Sequence, residues 1–302
     1  MKAKEVKEII RRKIFLVFRK IVRPFVGSRF NRFRSVCKIY SFLHSRLHPD
    51  TAIVDGNKMF LGDDCLKLSI DGMHERFETS LFKKIVKEGN TVLDIGAHIG
   101  YYTLLARNLV GEEGKVFAFE PSPENFNLLK KNIDVNGYGN IITINKAVSN
   151  RLGKAQFSPT ISTLDYTNNI EEKLITVDTI TLDEFFNNYS SKIDVIKMDI
   201  EGSEGKAFEG MFNLLEKNKD IIIITEYCPH RLKNLGTKPK NYLDMLEEHG
   251  FIIYHINEDE KRLELLNRNS IGNYFRKKPA INLFCFRKGT CDKFLEKILT
   301  ES

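Results

Sequence analysis

The hydrophobic pattern changes period along the chain, and the changes mark out its elements. Val6, Ile9, Ile10, Ile14, Val17, Phe18, Ile21 and Phe25 recur at helical spacing, with Lys7, Arg11, Arg12, Arg19, Lys20 and Arg23 largely elsewhere around the helix. Pro24 ends or kinks this helix. A second stripe, Phe30, Phe33, Cys37, Tyr40, Phe42 and Leu47, is again interleaved with arginines. His48 to Asp50 breaks the pattern and opens a strand-rich lead-in around residues 58–61, with turn signals at Gly56-Asn57 and Gly62-Asp63-Asp64. Residues 77–87 then predict a helix closed by Gly89.

From residue 90 the pattern alternates between short apolar runs and helical periods. Strands are expected at 91–95, 115–120 and 141–148, and helices at 101–108 and 121–136, the latter with Phe126, Leu129 and Ile133 on one face and Gly137 at its end. Nearly continuous apolar strands in β-α-β-α-β order predict a doubly wound, mostly parallel α/β sheet covered on both faces. Residues 153–180 interrupt the alternation with Thr/Ser/Asn-rich sequence, which reads as a hairpin insert over the sheet edge. A short helix at 182–189, a buried strand at 193–200, a helix at 208–217, a strand at 220–226 and a helix at 242–249 resume it. Residues 251–256 and 281–286 predict an antiparallel edge. The domain reading is therefore a basic helical extension (1–48), a lead-in (49–89) and one main domain (90–302).

Charge sharpens this division. Residues 1–48 carry 14 Lys/Arg against 2 Glu, so the extension is +12, and the remaining 254 residues sum to 33 minus 38, or −5, within a total of +7. The extension admits three readings: helices packing on the body or a partner subunit, an amphipathic surface lying on an anionic membrane, or a nucleic-acid contact. Its longest apolar run, residues 14–18, is far short of the ~20 needed to span a bilayer. Basic flanks without a small-residue cleavage site argue against a secretory signal. Five cysteines without a C-x-x-C pair argue against a disulfide framework or zinc knuckle, so a reducing, cytoplasmic compartment is the simplest expectation.

The candidate chemistry centres on the turn D-I-G-A-H-I-G, residues 94–100. Gly96 and Gly100 remove side chains where the backbone turns sharply and a ligand approaches. Asp94 stands where a dinucleotide's pyrophosphate would lie, and the third glycine of G-x-G-x-x-G is absent, so an anionic phosphate ligand is disfavoured. Glu120 ends the next strand about 20 residues on, where a carboxylate accepts ribose hydroxyls. S-adenosylmethionine, with a ribose, an amino-acid tail, a sulfonium and no phosphate, meets these demands. Successive strands end on Asp94, Glu120, Asp199 with Glu201, and Glu226, and open parallel sheets bind ligands at such ends.

The blocks VLDIGAHIGYYTLLA, GKVFAFEPSPENFNLLKKNI, NKAVSN and VDTITLDEFF, followed by IDVIKMDIEGSEGKAFEG, resemble the FkbM family of S-adenosylmethionine-dependent methyltransferases over roughly residues 90–230. The resemblance implies a Rossmann-like class I methyltransferase fold and methyl transfer, usually to oxygen, on sugars, polyketides or other small molecules. It assigns Asp94, Gly96, Gly100 and Glu120 to the cofactor, Ala147 and Val148 to the neighbourhood of the adenine, and Asp199 and Glu201 of the D-x-E-G block to the methyl acceptor. His98 is placed in the glycine turn, either shaping it or serving the cofactor, and His230 in the loop beyond Glu226 as an acceptor contact. Glu201 and Glu204 have a plainer reading as carboxylates compensating the start of a helix. If the strand continues through Ile200, Asp199 and Glu201 share a face. A divalent cation between them is the alternative to metal-free base catalysis, but no further carboxylate or Asn ligand is adjacent in sequence. Enzymes that methylate nucleic-acid bases usually hold the flipped base with an aromatic residue at this place. Here it reads acidic and non-aromatic, which argues against a nucleic-acid acceptor.

Overall fold

The computed structural model describes residues 14, 17, 51–62, 74–158, 174–275 and 278–290. Both basic stripes lie outside these residues, apart from Ile14 and Val17, which are helical and exposed. The chain forms two compact units, one ending at His74 and one beginning at Glu75. In the first, β1 (Thr51–Val54) and β2 (Asn57–Phe60) pair antiparallel. Asp55 and Gly56 between them have φ of 49° and 84°, the positive values of a two-residue turn that matches strand twist.

The second unit is built on an eight-stranded sheet. Its parallel part comprises β3 (Thr91–Ile95), β4 (Lys115–Phe119), β5 (Ile141–Ile144), β9 (Val195–Met198) and β10 (Ile222–Tyr227). Beyond β10 lie β11 (Phe251–Asn257), β12 (Arg262–Leu265) and β13 (Ile281–Arg287), in the overall order β12-β11-β13-β10-β9-β3-β4-β5. β13 runs antiparallel to both β10 and β11, so the expected antiparallel edge is present with β12 added outside it.

Alternate residues of each strand enter different cores. Val92, Val195, Ile222 and Ile224 face the helices α1 (Arg76–Ile85) and α2 (Tyr101–Val110). Leu93, Ile196, Met198 and Ile223 face the other side, with α5 (Glu204–Glu209), α6 (Phe212–Lys217) and α8 (Pro239–Glu248). That period-two division is the physical form of a sheet covered on both faces. Between β4 and β5 runs α3 (Pro123–Asn136), which starts on the Ser122 side chain and ends at the left-handed Gly137, as expected. The N-terminus of α1 is held from the β11–β12 turn, where Glu258 accepts the N–H groups of Phe77 at 3.1 Å and Glu78 at 2.6 Å.

Four expectations are corrected. Residues 141–148 are not one strand: after β5, the Asn145 amide donates to the Glu120 carbonyl at 2.7 Å and the Pro121 carbonyl at 3.2 Å, turning the chain aside. β6 (Ala147–Val148) then joins a separate sheet of order β6-β8-β7 with β7 (Gly153–Phe157) and β8 (Ile175–Ile180). β7 and β8 pair antiparallel, as the hairpin reading required. The second correction is that the helix at 208–217 is two helices. Gly210 sits where a Cβ would be 2.1 Å from the Ser149 carbonyl oxygen, and Asp183 of α4 (Leu182–Phe185) accepts the Asn213 and Leu214 N–H groups that begin α6. Third, β9 ends at Met198 rather than Ile200. Finally, Glu201 has φ of 57°, so the chain curls and the shared strand face proposed for Asp199 and Glu201 does not exist.

Candidate active site

The carboxyl ends of β3, β4 and β9 open on one cavity of about 170 Å³. Its wall includes Gly96, Glu120, Ala147, Val148, Asp199 and Glu201, so six of the ten site residues expected from the sequence meet there. A larger cavity of about 670 Å³, lined by Lys192, Ile193 and Lys217 among others, lies at the opposite end of β9 and carries none of these groups.

Gly96 is fixed by its surroundings. Its φ is 86°, and a Cβ would lie 2.0 Å from the Asp199 carbonyl oxygen, closer than any side chain tolerates. This lets the β3 turn and the chain leaving β9 run side by side, with Asp199 N–H donating to Ile95 O at 3.0 Å. Gly100, φ 98°, caps α2, and a Cβ there would be 2.7 Å from Leu129 Cδ1. It serves packing and is not on the cavity wall.

Glu120 follows β4 and is 4% exposed. Its carboxylate accepts the His98 N–H at 2.8 Å on Oε2 and the Ser122 N–H at 2.8 Å on Oε1. Burial raises its pKa above 4.5, and those two backbone donors pull the other way. His98 thus contributes its main chain, in a left-handed conformation with φ of 51°, to hold Glu120.

Asp94 is buried and absent from the cavity wall. Thr103 Oγ1 donates to it, and burial lifts its pKa to about 6 against that bond and the nearby Lys197. Asp94 therefore supports the turn from behind. Asp199 and Glu201 retain 38% and 39% exposure of their side chains. Arg231, on α7 (Pro229–Asn234), pairs with Glu201 and donates to Glu226 Oε2 at 3.2 Å. His230, on the same helix, is exposed and does not line the cavity. Glu204 is fully buried, and its Oε1 accepts the N–H groups of Ile200 at 3.1 Å and Gly202 at 3.2 Å. Its carboxylate therefore ties down the loop that carries Asp199 and Glu201.

Behind the wall lies a cluster absent from the sequence reading. Lys197 is 1% exposed, and its Nζ lies 3.1 Å from Glu78 Oε1 and 3.8 Å from Asp199 Oδ2. Tyr102 Oη donates to Glu78 Oε1 at 2.8 Å. Burial would depress the lysine's pKa, but Glu78, Asp199 and Glu75 together raise it. Burial pushes Glu78 up to about 7 and Glu204 to about 7. Glu226 goes to about 9 through burial and then the charges of Asp199 and Glu204. The available signal was the lone lysine inside the apolar run IDVIKMDI, since a buried ammonium must have a counter-charge. The cavity's Phe157 and Ser158, from the hairpin, had no such signal.

S-adenosylmethionine fits the residues present. Glu120 offers a fixed acceptor for ribose hydroxyls, Ile95, Phe119, Val148 and Phe157 give apolar surface, and Asp199 gives negative charge. Among the described residues, no group of three or more His, Cys, Asp or Glu side chains is placed to hold a metal ion.

Comparison with known proteins agrees with this geometry. Residues 94–253 match the methyltransferase FkbM domain. The chain is 28% identical over 164 residues to hexuronic acid methyltransferase AglP of Haloferax volcanii, covering 54% of this chain and 63% of the relative. It is 37% identical over 59 residues to a protein-L-isoaspartate O-methyltransferase of Methanococcoides burtonii, covering 20% of this chain and 29% of that one. The chain thus spans less than two thirds of the curated relatives it matches. Solved structures of similar fold include precorrin-6y C5,15-methyltransferase from Geobacter metallireducens (15% identity, TM-score 0.41, 70% of this chain and 87% of that one). Another is Aeropyrum pernix fibrillarin with natively bound S-adenosyl-L-methionine (13% identity, TM-score 0.42, 70% and 74%). The sheet is the mostly parallel α/β sheet with an antiparallel edge that the sequence predicts, and because the FkbM domain covers more than half of the 302 residues, the chain belongs to the FkbM family of S-adenosylmethionine-dependent methyltransferases.

Proposed function

We propose that the protein transfers a methyl group from S-adenosylmethionine to a hydroxyl oxygen of a sugar, glycan, glycolipid or similar small molecule. The observation that carries this reading is one cavity lined both by the buried, doubly held Glu120 and by the half-buried Asp199 and Glu201. The Haloferax volcanii relative, named for a hexuronic acid, is the reason for putting sugars first.

When bound, S-adenosylmethionine supplies an electrophilic methyl carbon on a positive sulfur. The residues do the rest. Glu120 accepts the ribose hydroxyls and cannot swing away, because two backbone donors hold its oxygens. Gly96 lets the β3 turn lie against the chain leaving β9, which brings Asp199 to the cavity. Asp199 orients the acceptor hydroxyl and takes its proton as the oxygen attacks, the ordinary work of a general base. Glu201 is tied to Arg231. The guanidinium engages its Oε2, so Glu201 serves to hold a second acceptor group while Asp199 takes the proton.

Labelled-methyl transfer to p-nitrophenyl glucuronide, p-nitrophenyl glucoside and host glycan and lipid extracts tests the proposal. Asp199→Asn should lower turnover by about 10²–10⁴ with little change in cofactor affinity, and Glu201→Gln should lower turnover at a fixed acceptor concentration by weakening acceptor binding. Near-normal turnover in both variants would refute the assignment. Loss of wild-type activity in chelator, restored by Mg²⁺, would move the acidifying role to a cation.

A further inference from the structure

We propose that Lys197 is a positioning residue whose ammonium, shared between Glu78 of α1 and Asp199 of the cavity wall, sets the charge of the surface that receives the methyl acceptor. The inference rests on the role given to Asp199 above.

The geometry is that of one buried cation between two anions. Lys197 lies within β9, 1% exposed, with Nζ 3.1 Å from Glu78 Oε1 and 3.8 Å from Asp199 Oδ2. Glu78 Oε2 has no hydrogen-bond partner among the described residues, so the pair meets through Oε1 alone. The ammonium is thus held by charge, and by the Tyr102 ring 5.1 Å away. Stability alone does not explain this arrangement. Apolar side chains of similar volume commonly replace a buried ion pair with no loss, and β9 is otherwise apolar.

What the lysine does provide is a fixed positive charge beneath a crowd of carboxylates. The charge of Asp199 raises Asp94 of β3, Glu226 of β10 and Glu204 of α5, Glu201 follows it in its own loop, and Glu78 of α1 with the preceding Glu75 acts on Lys197 from the other side. Lys197 offsets this repulsion, and Glu78 draws part of its field inward. A stronger hold by Glu78 leaves less for Asp199, so α1 tunes the acceptor wall without touching the cavity. Glu78 lies outside residues 94–253, so the tuning comes from beyond the matched domain.

The substrate-free test is carboxyl ¹³C NMR of the full chain labelled at glutamate Cδ, with Glu78 identified by the signal lost in Glu78→Gln. Lys197→Met should raise the Glu78 titration, which lies near 7, by about 1–3 pH units. Asp199→Asn should lower it by about one pH unit, because the ammonium then serves Glu78 alone. A Glu78 titration unmoved by Asp199→Asn overturns the sharing.

The second readout is the pH profile of methyl transfer to the glycoside that accepts label. Glu78→Gln should move its acid limb to lower pH. The double variant Lys197→Met with Glu78→Gln, which buries no unpaired charge, should move it about 1–3 pH units higher than Glu78→Gln does. If Lys197→Met alone does not fold, this pair of variants decides the question. A merely structural lysine would lower the plateau and leave the limb in place, and that result overturns the proposal. If neither the glycosides nor the glycan and lipid extracts take label, the acceptor reading fails, while the Glu78 titration in wild type and Asp199→Asn still judges the shared ammonium.

Discussion

Gly96→Ala tests the join between the β3 turn and the chain leaving β9. The new methyl would sit 2.0 Å from the Asp199 carbonyl oxygen and 3.0 Å from Ile200 Cγ2. An ordinary carbon–oxygen contact is about 3.3 Å, so the two segments must part by roughly 1.3 Å. The left-handed backbone adds about 1–2 kcal/mol for a residue with a Cβ, and forcing the segments apart adds about 1–3 kcal/mol. The total, about 2–5 kcal/mol, corresponds to a fall in Tm of about 4–20 °C at 2–4 °C per kcal/mol. Gly137→Ala is the control. Its φ of 71° is equally left-handed, but nothing lies within 4 Å of its Cβ position, so only the backbone cost applies. Differential scanning calorimetry should show Gly96→Ala less stable than Gly137→Ala by about 1–3 kcal/mol. Titration calorimetry should show S-adenosylmethionine affinity lowered in Gly96→Ala alone. Equal Tm shifts with unchanged cofactor affinity would refute the close approach.

Three more outcomes are expected. Glu120→Ala should weaken S-adenosylmethionine binding by about 1.5–3 kcal/mol, the scale of a lost charged hydrogen bond, and undiminished affinity in calorimetry removes the ribose role. Glu226 is raised in the folded chain from 4.5 to about 9, so the fold binds a proton there that the unfolded chain has released. Its contribution is therefore full below pH 4.5 and lost as pH rises toward 9, and Glu226→Gln should flatten the decline in Tm across that window. A wild-type-like slope in Glu226→Gln counts against the burial argument. Residues 1–48, at +12, should bind vesicles containing acidic lipid at about 1 kcal/mol per basic residue near the surface, weakening with salt. Equal co-sedimentation of full-length and truncated chains would sink that reading.

The alternation of strands and helices was legible because each strand buries both faces and so appears as an unbroken apolar run. Leu93 and Val92, neighbours in sequence, enter opposite cores. The turn at residues 94–100 and Glu120 were legible for a different reason, since backbone reversals and strand ends confine which residue types can stand there. Long-range pairing escaped. Nothing local marks Asn145 as the point where the chain leaves one sheet for another, because its partners are the carbonyls of Glu120 and Pro121, some 25 residues away. The same holds for Gly210, whose reason is Ser149. Asp94 stands in the expected turn without reaching the cavity wall, and His98 takes the turn-shaping one of its two expected parts. Side-chain direction, which sequence spacing does not set, turned Asp94 toward Thr103 and left His98 to act through its N–H. The carboxylates were visible singly, but the lysine that links Glu78 to Asp199 joins elements some 120 residues apart.

The position of β13 bears on how the chain reaches its native form during synthesis. β13 comes after β11 and β12 in sequence yet lies between β10 and β11. When the ribosome has released only as far as β12, β10 presents a bare hydrogen-bonding edge, and β11 and β12 have no place in the sheet except as a detached pair. The wall that carries Glu226 is then also unfinished, since Asn282 is that residue's register partner. A nascent chain at this stage is open to wrong strand pairing, the hazard of any uncovered edge. The last described strand acts as a keystone inserted between waiting neighbours, so completion of the sheet and completion of the acidic wall are the same event.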